Sequence, residues 1–206
     1  MSHDYHYYEP QNGHGLAHDP FNAIIAPRPI GWISSQDNDG QVNLAPYSFF
    51  NAFNYVPPII GFASVGYKDT VRNIEQTGEF CWNLVSEPLM EKMNQTSASV
   101  SSDVDEFSVG NLKKAQSRCV AVPHVADSPV IMECKKTQIV RLKNKAQEDV
   151  DTWMIFGEVV AVHIDKTVIK DGVYQTVAGK PVLRGGGTGD YFTIDEAGKR
   201  IMPRPG

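Results

Sequence analysis

Apolar positions along the chain come in short runs divided by turn-forming residues, and this pattern predicts strands more often than helices. A strand is predicted from Ile30 to Ser34, and "QDNDGQ" (36–41) supplies Asp-Gly turn chemistry for a hairpin return. "PIIGFAS" (58–64) is an apolar run headed by Pro58, which a strand tolerates at its first residue. "KDTVRNIEQTG" predicts a short helix with Asp69 or Thr70 as its cap, Val71 and Ile74 on its inward face, and Gly78 closing it. "EFCWNLVS" (79–86) returns as a strand, and "PLMEKMNQTS" (88–97) opens on a first-turn proline and reads as helix. The Ser- and Asp-rich "TSASVSSDVDEFSVGN" reads as loop. Two longer strands follow, "SPVIMECKKTQIVRL" and "TWMIFGEVVAVHID", separated by the polar "KNKAQEDVD". Two or three short helices among many strands do not make the regular alternation of a parallel sheet. The predicted class is mainly β with helical inserts, as a mostly antiparallel barrel.

Composition narrows the setting. At 206 residues the chain suits one domain or a core with an arm. The polar, His- and Tyr-rich residues 1–20 predict an arm, and residues 21–206 a single domain. A net charge of −5 gives no basic footprint, which argues against nucleic acid as a partner. No run of about 18 apolar residues occurs, which argues against a spanning helix. "MSHDYHYYEPQNGHG" has neither the positive nor the apolar segment of a signal peptide. Cys81, Cys119 and Cys134 are odd in number and set in apolar runs, which predicts reduced core thiols in a cytoplasmic protein.

Two stretches carry candidate chemistry. Where Ser64 gives way to Lys68, Asp69 and Thr70, a helix begins; its free N–H donors, two hydroxyls and a lysine suit a phosphate monoester. Arg72, one turn on, shares a face with Lys68, and the same features also suit an ordinary capped surface helix. About twenty residues earlier, "NLAPYSFFNAFNYVPPIIGFAS" packs aromatics, side-chain amides and small residues together. Asn43, Ser48 and Asn51 can border a planar heterocycle, with Ala45 and Pro46 permitting close backbone approach; a barrel hairpin with a satisfied polar edge is the competing reading. A heterocycle edge followed by a phosphate-suited helix start points to one nucleotide-like ligand. "RGGGTGDYF" (184–192) lacks the strand–turn–helix setting of a dinucleotide fingerprint and reads as a flexible loop presenting Tyr191. His3, His6, His14 and His18 lack an ordered element to set metal geometry, so no metal site is expected.

"APRPIGWISSQDNDGQVNLAPYSFFNAF", "PPIIGFAS" and "KDTVRNIEQTGEFCWNLVS" together resemble the flavin reductase-like, flavoredoxin-type family with the FMN-binding split-barrel fold. The resemblance runs through residues 26–86 and continues in "VDEF", "SPVIMEC" and "GEVVAVHID". It implies a split β-barrel homodimer holding FMN non-covalently at a subunit boundary. Asn43, Ala45, Ser48, Phe49, Phe50 and Asn51 then lie along the isoalloxazine and ribityl, and Ser64, Lys68, Asp69 and Thr70 reach the phosphate. The implied activity is NAD(P)H-dependent flavin reduction, with NADH or NADPH as a transient donor. The alternative is a flavoredoxin-like electron carrier or an FMN-binding protein without turnover of its own. A redox protein or flavin-dependent oxygenase is the implied partner. Family members often carry Ser and Asp before the Pro-Pro pair, where this chain has Asn54, Tyr55 and Val56. His163, near the end of an apolar strand, is the candidate catalytic residue, placed to meet the nicotinamide or deliver a proton; a hydrogen-bonded structural histidine is the competing reading.

Overall fold

The computed structural model describes residues 3–206 and is organised around a seven-stranded sheet. Its strands are β1 (Gly31–Gln36), β2 (Val42–Tyr47), β3 (Phe50–Asn54), β4 (Ile59–Val65), β5 (Glu79–Asn83), β6 (Val130–Lys143) and β7 (Asp149–Ile164). Their order across the sheet is β2-β1-β5-β6-β7-β4-β3. Every strand pair among the described residues is antiparallel. The sheet curls, because its two ends approach: the rings of Tyr47 on β2 and Phe62 on β4 lie 4.7 Å apart.

Alternation along the strands separates two cores. Ile33, Phe62, Phe80, Trp82 and Cys134 fill the inside of the curl. Helix α1 (Asp69–Thr77) closes it with the fully buried Val71 and Ile74, spaced as one helical face requires. On the outer face Trp32, Leu44, Met93 and Phe107 form a second cluster under α2 (Met90–Gln95) and α3 (Glu106–Val109). A smaller sheet joins Arg28–Pro29 to Val182–Arg184 and Tyr191–Thr193. Residues 3–20 run along the surface with a single short turn at Pro10–Asn12, and Tyr5 and Tyr7 are exposed. No helix among the described residues is long and apolar enough to cross a membrane.

Several local expectations change. The predicted 88–97 helix begins as a 3-10 turn over Glu87–Leu89 and ends at Gln95. The predicted 96–111 loop contains α3, because Asp105 caps it by accepting from Phe107 N–H at 3.0 Å while Phe107 buries its ring. The 143–151 linker shrinks to a tight turn, since Asn144 Oδ1 accepts from Ala146 and Glu148 N–H and lets both strands run on. Neither Asp69 nor Thr70 caps α1: Lys68 is the N-cap without a side-chain bond, while Gly78 closes the helix in the left-handed region (φ 75°). Cys81 and Cys134 are buried, but Cys119 is exposed, because it sits in the loop before Val120 rather than on a strand.

Candidate functional site

β2 is an edge strand, and along its free side runs a cleft of about 330 Å³. One wall is the start of α1, the other the segment from Thr96 to Val100 and Glu106. Asn43, Ala45, Lys68, Asp69 and Thr70, proposed from the sequence, all line it. Asn43 Nδ2 donates to Thr70 Oγ1 at 2.7 Å, which occupies that oxygen as acceptor and leaves the threonine proton to be given elsewhere. Ser64 lies beneath the cleft, fully buried, and donates to Gly66 O at 2.8 Å, fixing the turn that aims the helix.

Charge is distributed unevenly here. Asp69 pairs with Arg72 at 2.7 Å, so the arginine beside Lys68 is already neutralised. Lys68 forms no ion pair among the described residues. The start of α1 is likewise uncapped by any side chain, so its first N–H donors and positive dipole end face the same cleft. Glu106 accepts Leu44 N–H at 3.1 Å, and burial pushes its carboxyl up despite that bond. Burial likewise pushes the Tyr47 phenol up to about 12. The Tyr47 hydroxyl is buried close to the Thr70 and Ser64 hydroxyls, and no contact of good hydrogen-bond geometry reaches it among the described residues. An unpaired hydroxyl, an unpaired ammonium and open helix N–H groups are the donor set a phosphate ester requires.

The remaining sequence candidates fall on neighbouring cavities. Ser48 lines one of about 430 Å³ that shares Pro46, Tyr47 and Ser97 with the first. Phe49, Phe50 and Asn51 line a third of about 540 Å³, with Arg28, Ile24 and Met154. Residues 43–51 therefore border three successive hollows. Within that run the side chains differ in duty: Phe50 stacks on Trp82 at 5.6 Å and 7° as part of the core, and the Phe49 ring lies under the Arg28 guanidinium at 5.7 Å. Asn51 Oδ1 accepts from Ala52 N–H.

His163 lines none of these cavities. Strand register places it opposite Ile131, then Asn83, Trp32 and Pro46, four strand spacings from the cleft, or about 19 Å along the sheet. Its Nε2 meets Glu133 Oε1 at 2.5 Å. Glu133 is fully buried and also accepts N–H groups from Arg118, Cys119 and Val120 at 2.9, 2.5 and 3.1 Å. Tyr47 and Glu106, which sequence reasoning did not single out, stand in quoted motifs: an aromatic between Pro46 and Ser48, and an acid beside Phe107.

Comparison with known proteins decides the family. Residues 25–178 match the family described as flavin reductase like domain. The chain belongs to the flavin reductase-like family. A protein of Halalkalibacterium halodurans is 33% identical over 182 residues, 83% of this chain and 86% of that relative. Among solved structures, nitrilotriacetate monooxygenase component B from Bacillus cereus superposes with a TM-score of 0.82 at 25% identity, covering 98% of each chain. The Pseudomonas fluorescens 2-nitrobenzoate 2-nitroreductase gives 0.77 at 27% identity over 89% of this chain and 88% of that one. A split-barrel protein from Shewanella frigidimarina gives 0.79 at 26% over 90% of each. The curled antiparallel sheet is thus the split barrel of this flavin reductase-like family, as the sequence resemblance implied.

Proposed function

We propose that this flavin reductase-like chain binds FMN non-covalently and is an oxidoreductase supplied by NADH or NADPH. The observation that carries the reading is the unpaired Lys68 at the uncapped start of α1, in one cleft with the Asn43–Thr70 pair. In this reading Lys68, Thr70 and the first helix N–H groups hold the phosphate, with Asp69 kept from opposing it by Arg72. Ser64 shapes the turn beneath, and Asn43, Ala45 and Ser48 border the remainder of the cofactor, with Phe49, Phe50 and Asn51 continuing the wall. FMN, when bound, supplies the hydride-accepting chemistry, and the protein supplies position and charge.

The acceptor fits a flavin-dependent oxygenase or a reducible aromatic, since structures similar over most of their length include a monooxygenase component and a nitroreductase. Two buried free thiols support a reducing, cytoplasmic setting. His163 is assigned a structural role through Glu133, not a catalytic one. The test is an anaerobic titration of the FMN-loaded protein with NADH and with NADPH. Bleaching of the flavin within seconds is expected with one of them. Stable oxidised flavin with both, reducible only by a protein donor, would replace the reductase with an electron carrier.

A further inference from the structure

The cavity of about 430 Å³ beside the flavin cleft has a feature the FMN reading does not use. In the small sheet Arg28 stands directly opposite Arg184, a like-charge cross-strand pair of the kind that destabilises a sheet. No carboxylate forms an ion pair with either among the described residues. Arg28 is consumed by backbone carbonyls: Asn22 and Ile25 through Nη1, Gly185 through Nη2 at 3.0 Å, and Ser48 through Nε at 3.1 Å. It holds its loops together and leaves its charge uncompensated. Burial and then the neighbouring Arg184 lower its pKa.

Arg184 is placed differently. Its Nη1 donates to Gly186 O at 3.1 Å and Asp190 O at 2.7 Å, and its guanidinium lies over the Tyr191 ring at 4.9 Å. Those contacts fix the plane of the group and leave Nη2 and Nε without partners among the described residues, beside a cavity that Arg184 itself lines with Ser48, Thr188 and Gly189. Gly186 allows this because a Cβ there would come within 2.4 Å of Ala23 Cα, so the loop closes tightly on the chain before Arg28. Asp190, the nearest acid in sequence, turns its carboxylate onto Gly187. The Thr188 and Gly189 N–H groups have no partner among the described residues. An oriented guanidinium fork and free backbone donors together suit an oxyanion, and Arg28, which lines the adjacent hollow rather than this one, adds a neighbouring positive charge.

We propose that this cavity binds an oxyanion of the substrate that approaches the flavin, with Arg184 as the specificity-determining fork. The shared chemistry is a carboxylate or phosphate oxygen pair. Its two sources are the diphosphate of a nicotinamide dinucleotide and the carboxylate of an aromatic acceptor. The proposal rests on the flavin reading for what the substrate does, and on the arginine geometry alone for whether an anion binds.

The experiment titrates the FMN-loaded full chain with inorganic diphosphate and, separately, with benzoate, by calorimetry. One of the two should bind, and whichever does names the source. Arg184→Met should weaken it by about ten- to a hundredfold, the loss of a charge-assisted hydrogen bond, while FMN affinity stays within about twofold. Arg184→Lys, which keeps charge but not the fork, should recover only part. Absence of binding by the wild-type chain, equal binding by Arg184→Met, or a parallel loss of FMN affinity and melting temperature would overturn the site. If the chain takes up no FMN, the flavin reading falls, and the same titrations on flavin-free protein still decide the arginine site.

Discussion

In the proposed site Lys68 would face close to two phosphate charges in a chain whose own balance is −5. Its neighbour Arg72 cannot share the task while Asp69 holds it at 2.7 Å. Charge-assisted hydrogen bonds contribute roughly 1.5–3 kcal/mol, so Lys68→Ala should weaken FMN binding by about ten- to a hundredfold. Riboflavin, without the phosphate, should bind the variant almost as it binds the wild type. Fluorescence-quenching titrations with both ligands separate the cases, and equal losses would move the phosphate away from α1. Glu133 is the second residue whose removal is diagnostic. Its carboxyl is pushed up by burial, but donors from Arg118 N–H, His163 and Cys119 N–H outweigh this and hold it below the ordinary value. A depressed carboxylate contributes stability that is fully present above its unfolded pKa and is lost as the pH falls through the folded one. Glu133→Gln sets an amide donor against N–H donors, so it should cost about 3 kcal/mol, or roughly 6–12 °C in melting temperature. The variant should also lose part of the acid sensitivity below the ordinary value of 4.5. His163→Ala should lower the melting temperature while leaving the rate of flavin reduction unchanged; a slowed rate at unchanged stability would restore the catalytic reading.

At the scale of elements, α1 was the most legible part of the sequence and also the most instructive. Val71 and Ile74 announced its buried face, and Gly78 its end, because only that position needs the left-handed backbone. Its beginning differs from the local expectation: Asp69 and Thr70 are good capping types, but one is drawn to Arg72 and the other to Asn43, and Asn43 is 27 positions away in sequence. Local propensity cannot report a partner brought by the sheet. The same limit hid α3, whose Asp105 cap was visible but whose burial under β2 was not. Gly78→Ala tests the readable part. A Cβ there meets nothing within 4 Å, so the cost is the left-handed conformation alone, about 1 kcal/mol. The expected fall in melting temperature is roughly 2–4 °C, and FMN affinity should hold because the end of the helix proposed to meet the phosphate is untouched. A much larger loss would mean the turn is needed to seat α1, whose end is tied to β6 by Lys136 N–H donating to Gly78 O at 2.7 Å.

For the whole molecule, the barrel class followed from strand spacing, but the closing of the curl did not, since it depends on Tyr47 meeting Phe62 between strands at different ends of the sheet. Nor could the sequence reveal which apolar residues stay outside. Ile24, Ile25 and Phe53 are 70%, 49% and 52% exposed and line the same cavity as Phe49, Phe50 and Asn51. Tyr55 and Val56, next along the chain, are 90% and 79% exposed. A contiguous apolar patch of this kind marks an association surface, and here it borders residues assigned to the flavin. We propose a second copy of the chain as the occupant of this patch, since a closed two-fold dimer would cover it without leaving a further apolar face. Light scattering at micromolar concentration should therefore give twice the 22.8 kDa chain mass. Phe53→Asp would bury a charge in the proposed interface, so it should shift the protein to monomer and lower FMN affinity in step. A monomeric wild type that holds FMN tightly would mean one chain suffices for the site, and the exposed residues would then need a different partner.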